Sequence, residues 1–438
     1  PEPRSRPSTR MRPLDIAIVG YGTAGQALAV LLARDGHRLQ VFEQAEAPRP
    51  VGAGFLLQPT GLGALWQMGL LEAVMTHGRR IDRLFGDTPH GDNHRAVMDM
   101  RYAGLDARLF GWGLQRGALF EALRSAWPDH DRITTGTRIE RVDDDGSLVD
   151  ARGQRHGPFD LVIAADGAHS ALRQATAGVA SMDAVYPWGA LWCLCEDRGW
   201  AYPHELRQRY RQARKMVGVL PVGTRPGDAQ PMLSFFWSLP RDAFEAWERE
   251  GLDAWKAELA ALWPEAADLV AGITEAGALA RATYRDVVMS GPWHQGRLVF
   301  CGDSAHAMSP QLGQGVNMAL LDALALRDAL RTMPDGAALD ARTLDSVLRD
   351  FAQERRRHVA IYQFWSRWLT PVFQGERDTV AALRDALFVP MGRMPGGRGQ
   401  MLRVLTGTQR GWLGRQALPE GLLEALALAG GCGPETSR

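Results

Sequence analysis

Residues 14–43 commit this chain to a parallel α/β sheet before anything else in it is read. Leu14–Val19 is an apolar run of strand length, Ala24–Arg34 has helical spacing, and Leu39–Glu43 returns as a second strand. Between the first strand and the helix stands Gly20-Tyr21-Gly22-Thr23-Ala24-Gly25, a GxGxxG turn. Strand, tight glycine turn, helix and strand make a βαβ unit whose crossover is right-handed. Gly20 allows the turn, Gly22 lets the backbone approach a pyrophosphate, and Gly25 lets the helix pack close to the sheet. Thr23 and Ala24 fill the two variable positions, at a helix N-terminus whose free amides attract phosphate. Glu43 stands where a carboxylate holds ribose hydroxyls and disfavours a 2′-phosphate. This loop alone leaves NAD and FAD equally open.

Two further loops follow short apolar strands: Asp160–Arg173 (DLVIAADGAHSALR) and Arg297–Asn317 (RLVFCGDSAHAMSPQLGQGVN). The last decides for FAD. Arg297–Cys301 is a strand with Gly302-Asp303 at its carboxyl end, the place where open α/β sheets bind ligands. Asp303 is an acceptor suited to ribityl hydroxyls. Pro310 stiffens the next stretch, while Gly313 and Gly315 permit close approach to a flat ring. Val316-Asn317 begins a helix whose amides would face the flavin pyrimidine edge, where negative charge collects on reduction.

The chain has 438 residues, 45% of them hydrophobic, enough for two interleaved domains. The reading is α/β: a Rossmann-like FAD-binding domain on a parallel sheet, an α+β substrate domain on a mixed sheet, and C-terminal helices. The expected boundaries are a disordered leader at 1–13, FAD-binding segments at 14–75, 105–180 and 281–345, and substrate-domain segments at 76–104 and 181–280. A helical region at 346–429 and a tail at 430–438 complete the division. Within the FAD-binding part, Pro59–Val74 and Leu114–Trp127 are predicted helices, and Asp131–Phe159 reads as hairpin strands turning at Asp145-Gly146. Residues 180–270 carry seven of the fourteen tryptophans.

Lys plus Arg and Asp plus Glu balance at 50 each, which argues against a nucleic-acid surface. Cys193, Cys195, Cys301 and Cys432 form no CxxC pair, so neither a disulfide framework nor a metal site is expected, and a reducing, cytoplasmic setting fits. The basic N-terminus lacks a secretory apolar region, and no run of 18 apolar residues predicts a membrane span.

With these loops in hand, the chain resembles the group A flavoprotein aromatic hydroxylases, the para-hydroxybenzoate hydroxylase-like family, over about residues 14–370. The resemblance implies that Asp166-Gly167 serves both FAD and pyridine nucleotide, that Gly302-Asp303 contacts the ribityl chain, and that Arg116, in LQRGALFEAL, contacts FAD. It places Gly52-Ala53-Gly54 near the isoalloxazine. Gln44 stands where the family often has a basic residue, beside the adenine-side ribose. It further implies NADH or NADPH as a transient reductant, since no second GxGxxG unit is present. Dioxygen would then be delivered to an electron-rich ring through a flavin C4a-hydroperoxide. The partners so implied are an aromatic or heteroaromatic small molecule and dioxygen, in a monomer or homodimer.

Trp192, Phe235 and Trp237, with Pro310, are the expected substrate walls, because Phe235 and Trp237 share one strand face. His306 is the one candidate for proton handling, against a structural hydrogen bond within its loop. The Arg355-Arg356-Arg357-His358 run reads as a solvated helix face. Three alternatives use the same scaffold. A flavin-dependent halogenase shares the GxGTAG pattern, but its WxWxIP signature is missing. The others are a Baeyer–Villiger or epoxidising variant and a flavin-binding protein without turnover.

Overall fold

The first apolar run becomes β1 (Asp15–Val19), placed inside a six-stranded sheet in the computed structural model of the chain. The structure describes residues 12–50, 52–334, 340–375, 379, 383–384 and 397–431. β2 (Arg38–Phe42) and β12 (Leu161–Ala164) flank β1 in parallel, with Ile18 opposite Val41 on one side and Ile163 on the other. With β8 (Ile133–Thr134), β18 (His294–Gln295) and β19 (Leu298–Phe300) the order is β18-β19-β12-β1-β2-β8. β1, β12 and β19 run parallel as neighbours, so their carboxyl ends emerge side by side.

Burial explains the composition of these strands. Ile16, Ala17, Ile18 and the whole of β12 are inaccessible, as strands covered on both faces must be. α1 (Thr23–Arg34) buries Ala24–Leu32 against the sheet and α9 (Gly315–Leu330), and α10 (Ala341–Phe373) packs outside α9. α2 (Pro59–Gln67), α3 (Leu71–Met75) and α4 (Arg116–Ala126) continue this layer. α5 (Ala171–Ala175) and α8 (Asp303–His306) are single turns after β12 and β19. β9 (Ile139–Val142), β10 (Leu148–Asp150) and β11 (Arg155–His156) form an antiparallel meander that turns through Asp143–Ser147, around the expected Asp-Gly signal.

A seven-stranded mixed sheet lies beside this layer, in the order β17-β13-β16-β15-β14-β5-β6. Its strands are β5 (Arg83–His90), β6 (Asn93–Arg101), β13 (Met182–Glu196), β14 (Glu205–Arg211), β15 (Lys215–Arg225), β16 (Asp228–Pro240) and β17 (Ala280–Val288). One face, with Leu191, Val217, Phe235 and Trp237, is covered by α6 (Phe244–Leu262) and α7 (Pro264–Val270). The opposite face meets a small sheet of β3 (Gly54–Leu57), β7 (Gly111–Gln115) and β4 (Arg79–Ile81), where Leu220 and Val222 pack on Leu56 and Ile81.

Three boundaries differ from expectation. The helix expected from Leu114 starts at Arg116, because Gly111–Gln115 pairs as a strand and Gly113 lies so close to the Pro221 carbonyl that no side chain fits. Pro59–Val74 is two helices, broken at Gly69 with φ 66°. The chain stays in the mixed sheet through β17, which pairs with β13, and returns to the parallel sheet only at His294, later than residue 281. After α10 come helices Gly397–Leu405 and Leu422–Gly431. Residues 1–11 of the expected leader, 390–396 of the expected Pro390–Gly399 loop, and the tail from Cys432 lie outside the described residues. Among the described residues, no helix is long and apolar enough to cross a membrane.

Candidate functional site

The three loops meet at the carboxyl ends of β1, β12 and β19. Gly20, with φ 102°, lies against the Ala165 carbonyl and Asp166, and its N–H donates to the Phe42 carbonyl at 2.8 Å. A side chain on Gly302 would stand 3.1 Å from the Ala24 methyl and 3.6 Å from the Ala319 methyl, so the third loop rests on α1 and α9. Gly25 packs on the Gly20 carbonyl with no space for a methyl. Gly22 is the exception: nothing lies within 4 Å of where its side chain would point. Between Gly22 and the first-turn residues Thr23, Ala24 and Gly25, the amide end of α1 is open to a ligand.

Backbone amides aim Glu43, which accepts from Tyr21 N at 2.8 Å through Oε2 and from Ala45 N at 2.8 Å through Oε1. Gln44 is exposed at the rim. Asp166 is the least satisfied acid here: Oδ1 is buried without a hydrogen-bond partner, while Oδ2 accepts a long 3.5 Å contact from Leu172 N. Burial raises its pKa above the ordinary carboxylate value, against the Ser170 hydroxyl and the Arg173 charge. Arg173 holds the second loop to the third. It is 2% exposed, donates to the Ser304 carbonyl at 2.7 Å and the Ala168 carbonyl at 2.6 Å, and pairs with Asp183 at 3.1 Å. Arg173 belongs to the second motif, yet its clamping role shows only when β12 and β19 are neighbours.

The Arg116 guanidinium is stacked over Gly52 and stands 5.5 Å from the Phe55 ring centre. Burial lowers its pKa, while the charge of Asp303 and the Tyr284 hydroxyl pull upward. Among the described residues no carboxylate reaches Arg116 at ion-pair distance, so this half-buried cation has room for an anionic or polar ligand. Tyr284 on β17, which the sequence reading did not single out, has its pKa pushed up to about 12 by burial. Gly54 lies against Val222 and Ser234, placing the Gly52–Gly54 loop on the mixed sheet.

In the third loop Asp303, Pro310 and Gly313 are exposed, and α9 begins at Gly315, so Gly315, Val316 and Asn317 supply its first amides. The Asn317 side chain is inaccessible and engaged: it accepts from Gln58 N at 2.9 Å and donates to the Gly313 carbonyl at 2.9 Å. It shapes the loop, and only its backbone is free for a ligand.

Phe235 and Trp237 do not wall a pocket. They share a strand face as expected, but it is the helix-covered one: Trp255 stands 6.0 Å from Phe235 and 6.1 Å from Trp237, edge to face. Trp192 is on the opposite face, directly across from Phe236 rather than Phe235, and both are half-buried. Period-2 alternation groups residues by face without saying which face the helices cover.

His306 is 1% exposed and engaged with Asp322 Oδ2 at 2.6 Å. The Asp322 carboxylate is inaccessible, and it also accepts Gly302 N at 2.7 Å and Arg355 Nε at 2.6 Å. His306 and Arg355 hold its pKa far below the usual carboxylate range in spite of burial. Arg355 and His358 are therefore not on a solvated face; they are 4% and 0% exposed, and only Arg357 of that run is fully exposed. The spacing Phe351, Arg355, His358, Tyr362 is helical and would have shown them on one buried stripe. Cys193 and Cys195, with sulfurs 3.6 Å apart, and Cys301 are free and buried, while Cys432 lies outside the described residues.

A flavin dinucleotide fits this donor set. The open side of Gly22, the orphaned Asp166 Oδ1, the unpaired Arg116 and the exposed amide end of α9 lie along one path across β1, β12 and β19. The fold is shared with solved structures: Klebsiella pneumoniae HpxO complexed with FAD and uric acid aligns at a TM-score of 0.73, with 22% identity, covering 92% of this chain and 98% of that one. Pseudomonas aeruginosa PqsL in complex with 2-aminobenzoylacetate aligns at 0.70, with 24% identity, covering 85% and 99%. In sequence, the 6-methylpretetramide 4-monooxygenase of Streptomyces rimosus is 26% identical over 412 residues, 90% of this chain and 93% of that protein. The FAD-dependent urate hydroxylase of Klebsiella pneumoniae is 27% identical over 357 residues, 78% and 89%. The architecture and the site define a flavoprotein monooxygenase of the group A hydroxylase class. The chain belongs to the FAD binding domain family, whose model matches residues 13–361.

Proposed function

We propose that this protein hydroxylates an aromatic or heteroaromatic small molecule, using FAD, dioxygen and NADH or NADPH as a reductant that binds in passing. One oxygen atom enters the ring and the other leaves as water, with two electrons from the reductant. Bound FAD supplies the redox chemistry, and the chain binds, aims and shields.

The supporting observation is the convergence of Gly20, Gly302 and Arg116 on one crevice, with the donors there left unpaired. In this reading Gly22 and the α1 amides take the pyrophosphate. Glu43, fixed by its two backbone donors, takes the adenosine ribose, with Gln44 beside it. Asp303 takes the ribityl hydroxyls, and Asp166 faces the pyrophosphate side through its unpartnered Oδ1. Gly313, Gly315 and the first amides of α9 stabilise negative charge at the pyrimidine edge. The substrate ring lies between the Pro310 loop and the sheet face that carries Trp192, Phe236 and Tyr284, where apolar walls exclude water. His306, sealed beneath the third loop, keeps a structural role.

The relatives support the substrate class, since one is named for urate and another, from Streptomyces cremeus, for 3-amino-4-hydroxybenzoate. The test is purification with FAD, then NADH and NADPH oxidation across a panel of aromatic acids, pyridines and purines, with ¹⁸O₂ incorporation read by mass spectrometry. Substrate-stimulated oxidation with one labelled oxygen in the product is expected. Protein that takes up no FAD overturns the reading.

A further inference from the structure

The family match ends at residue 361, yet a turn well beyond it is built into the flavin layer. Residues Val404–Gln409 are the end of helix Gly397–Leu405 and the turn after it, and the carbonyls of Val404, Leu405, Thr406, Gly407 and Gln409 are taken up by buried donors from three parts of the chain. Gln314, 1% exposed and set between Gly313 and Gly315, donates from Nε2 to the Leu405 carbonyl at 2.7 Å and the Val404 carbonyl at 3.3 Å. Thr60 on α2 donates to the Thr406 carbonyl from its backbone at 3.3 Å and its hydroxyl at 3.2 Å. On α10, His358 bonds the Gly407 carbonyl at 2.8 Å and the Tyr362 hydroxyl donates to the Gln409 carbonyl at 2.9 Å. Gly407 has φ 81°, and any side chain there would strike the Thr60 hydroxyl.

A second line runs from this turn to the third loop. Arg355 donates from Nη1 to His358 Nδ1 at 2.8 Å, so Nε2 carries the ring proton and donates to Gly407. The same guanidinium donates from Nε to Asp322, and Asp322 accepts the Gly302 N–H. Every group in the line is buried, so its geometry is set by its partners and not by water.

We propose that the Val404–Gln409 turn is a positioning element of the flavin site. It fixes the Gly313–Gly315 backbone through Gln314, and Gly302-Asp303 through the His358–Arg355–Asp322 line. The proposal rests on FAD lying in the crevice as read above. It makes a segment beyond the family match part of cofactor binding, though none of its residues touches the cofactor.

His358→Leu breaks the line at a residue remote from the loops, His358→Gln restores a donor, and Tyr362→Phe removes a single bond to the turn. Asp87→Asn is the control, breaking the buried 2.8 Å pair with Arg209 in the mixed sheet. For each, the apoprotein is titrated with FAD by flavin fluorescence and its melting midpoint is recorded. His358→Leu is expected to weaken FAD binding at least ten-fold, His358→Gln to recover most of that loss, and Tyr362→Phe to cost about three-fold. Asp87→Asn is expected to lower the midpoint while leaving FAD affinity within two-fold. Should His358→Leu fail to fold, Tyr362→Phe and His358→Gln decide the matter. Wild-type affinity in the α10 variants, or an affinity loss in Asp87→Asn equal to theirs at equal midpoint loss, overturns the proposal. Wild-type protein that binds no FAD overturns the functional reading instead.

Discussion

Replacing Gly22 by alanine separates binding from folding at the first loop. The position is extended, with φ −77° and ψ −169°, and no atom lies within 4 Å of the added methyl. Alanine lowers unfolded-chain entropy, a gain of about 0.4–1 kcal/mol. It is a poorer helix N-cap than glycine by a comparable amount, roughly 0.5–1 kcal/mol. The two offset, so the melting midpoint of the apoprotein should stay within about 1 °C. FAD binding should not escape. The methyl stands where phosphate must approach the α1 amides, and one lost hydrogen bond to a charged group is worth about 1.5–3 kcal/mol, or roughly 10- to 150-fold in affinity. Gly25→Ala gives the contrast: its methyl runs into the Gly20 carbonyl, backbone that cannot rotate away, and overpacking of this kind costs about 1–3 kcal/mol or more. That variant should lose both midpoint and affinity. Calorimetric melting and FAD titration of both apoproteins read the pair. Unchanged FAD affinity in Gly22→Ala would refute phosphate contact at this turn.

Trp237→Ala should cost about 3–5 kcal/mol of stability and leave the KM of the surviving folded enzyme unaltered, since Trp237 packs on Trp255 behind the sheet. Trp192→Ala should do the reverse, raising KM several-fold with little loss of midpoint; denaturant titration and steady-state kinetics separate the two. Burial raises the Asp166 pKa in the fold above its ordinary 3.8, so the fold binds a proton that the unfolded chain has released, and stability falls as pH rises through that window. Asp166→Asn should therefore melt higher than wild type at pH 7 in the apo form, with the advantage fading toward pH 4. His358 runs the other way: burial and Arg355 lower it from 6.5 to about 3, so its contribution is complete above 6.5 and is lost as pH falls toward 3. His358→Asn should flatten the acid limb of the stability curve, read by urea titration across that range.

The backbone of the three loops was legible because glycine motifs encode backbone shape directly. Gly20, Gly25 and Gly302 stand where no side chain fits or where φ is positive, and such demands survive in one sequence. Facing was not legible. Phe235 and Trp237 alternate correctly with Phe236, yet only the covering helix α6 shows which set is core. Charge misled in the same way, since Arg355 and His358 sit in a run of basic residues that suggests solvent. Their partners, Asp322 and the Gly407 carbonyl, lie 33 and 49 residues away and leave no local trace. Tyr284 escaped notice because the stretch from residue 281 was grouped with the FAD-binding segments and not read as a strand, whereas β17 pairs with β13 in the mixed sheet.

The strand order β18-β19-β12-β1-β2-β8 has a consequence for biogenesis. β12 is synthesised about 140 residues after its neighbour β1, and β19 about 140 after that, so the parallel sheet closes only when two long intervening segments have been made. Cofactor uptake must then be a late event in the life of each nascent molecule. Until β12 and β19 have been made, the strand edges they cover stay open, a hazard that lasts for as long as the intervening segments take to synthesise.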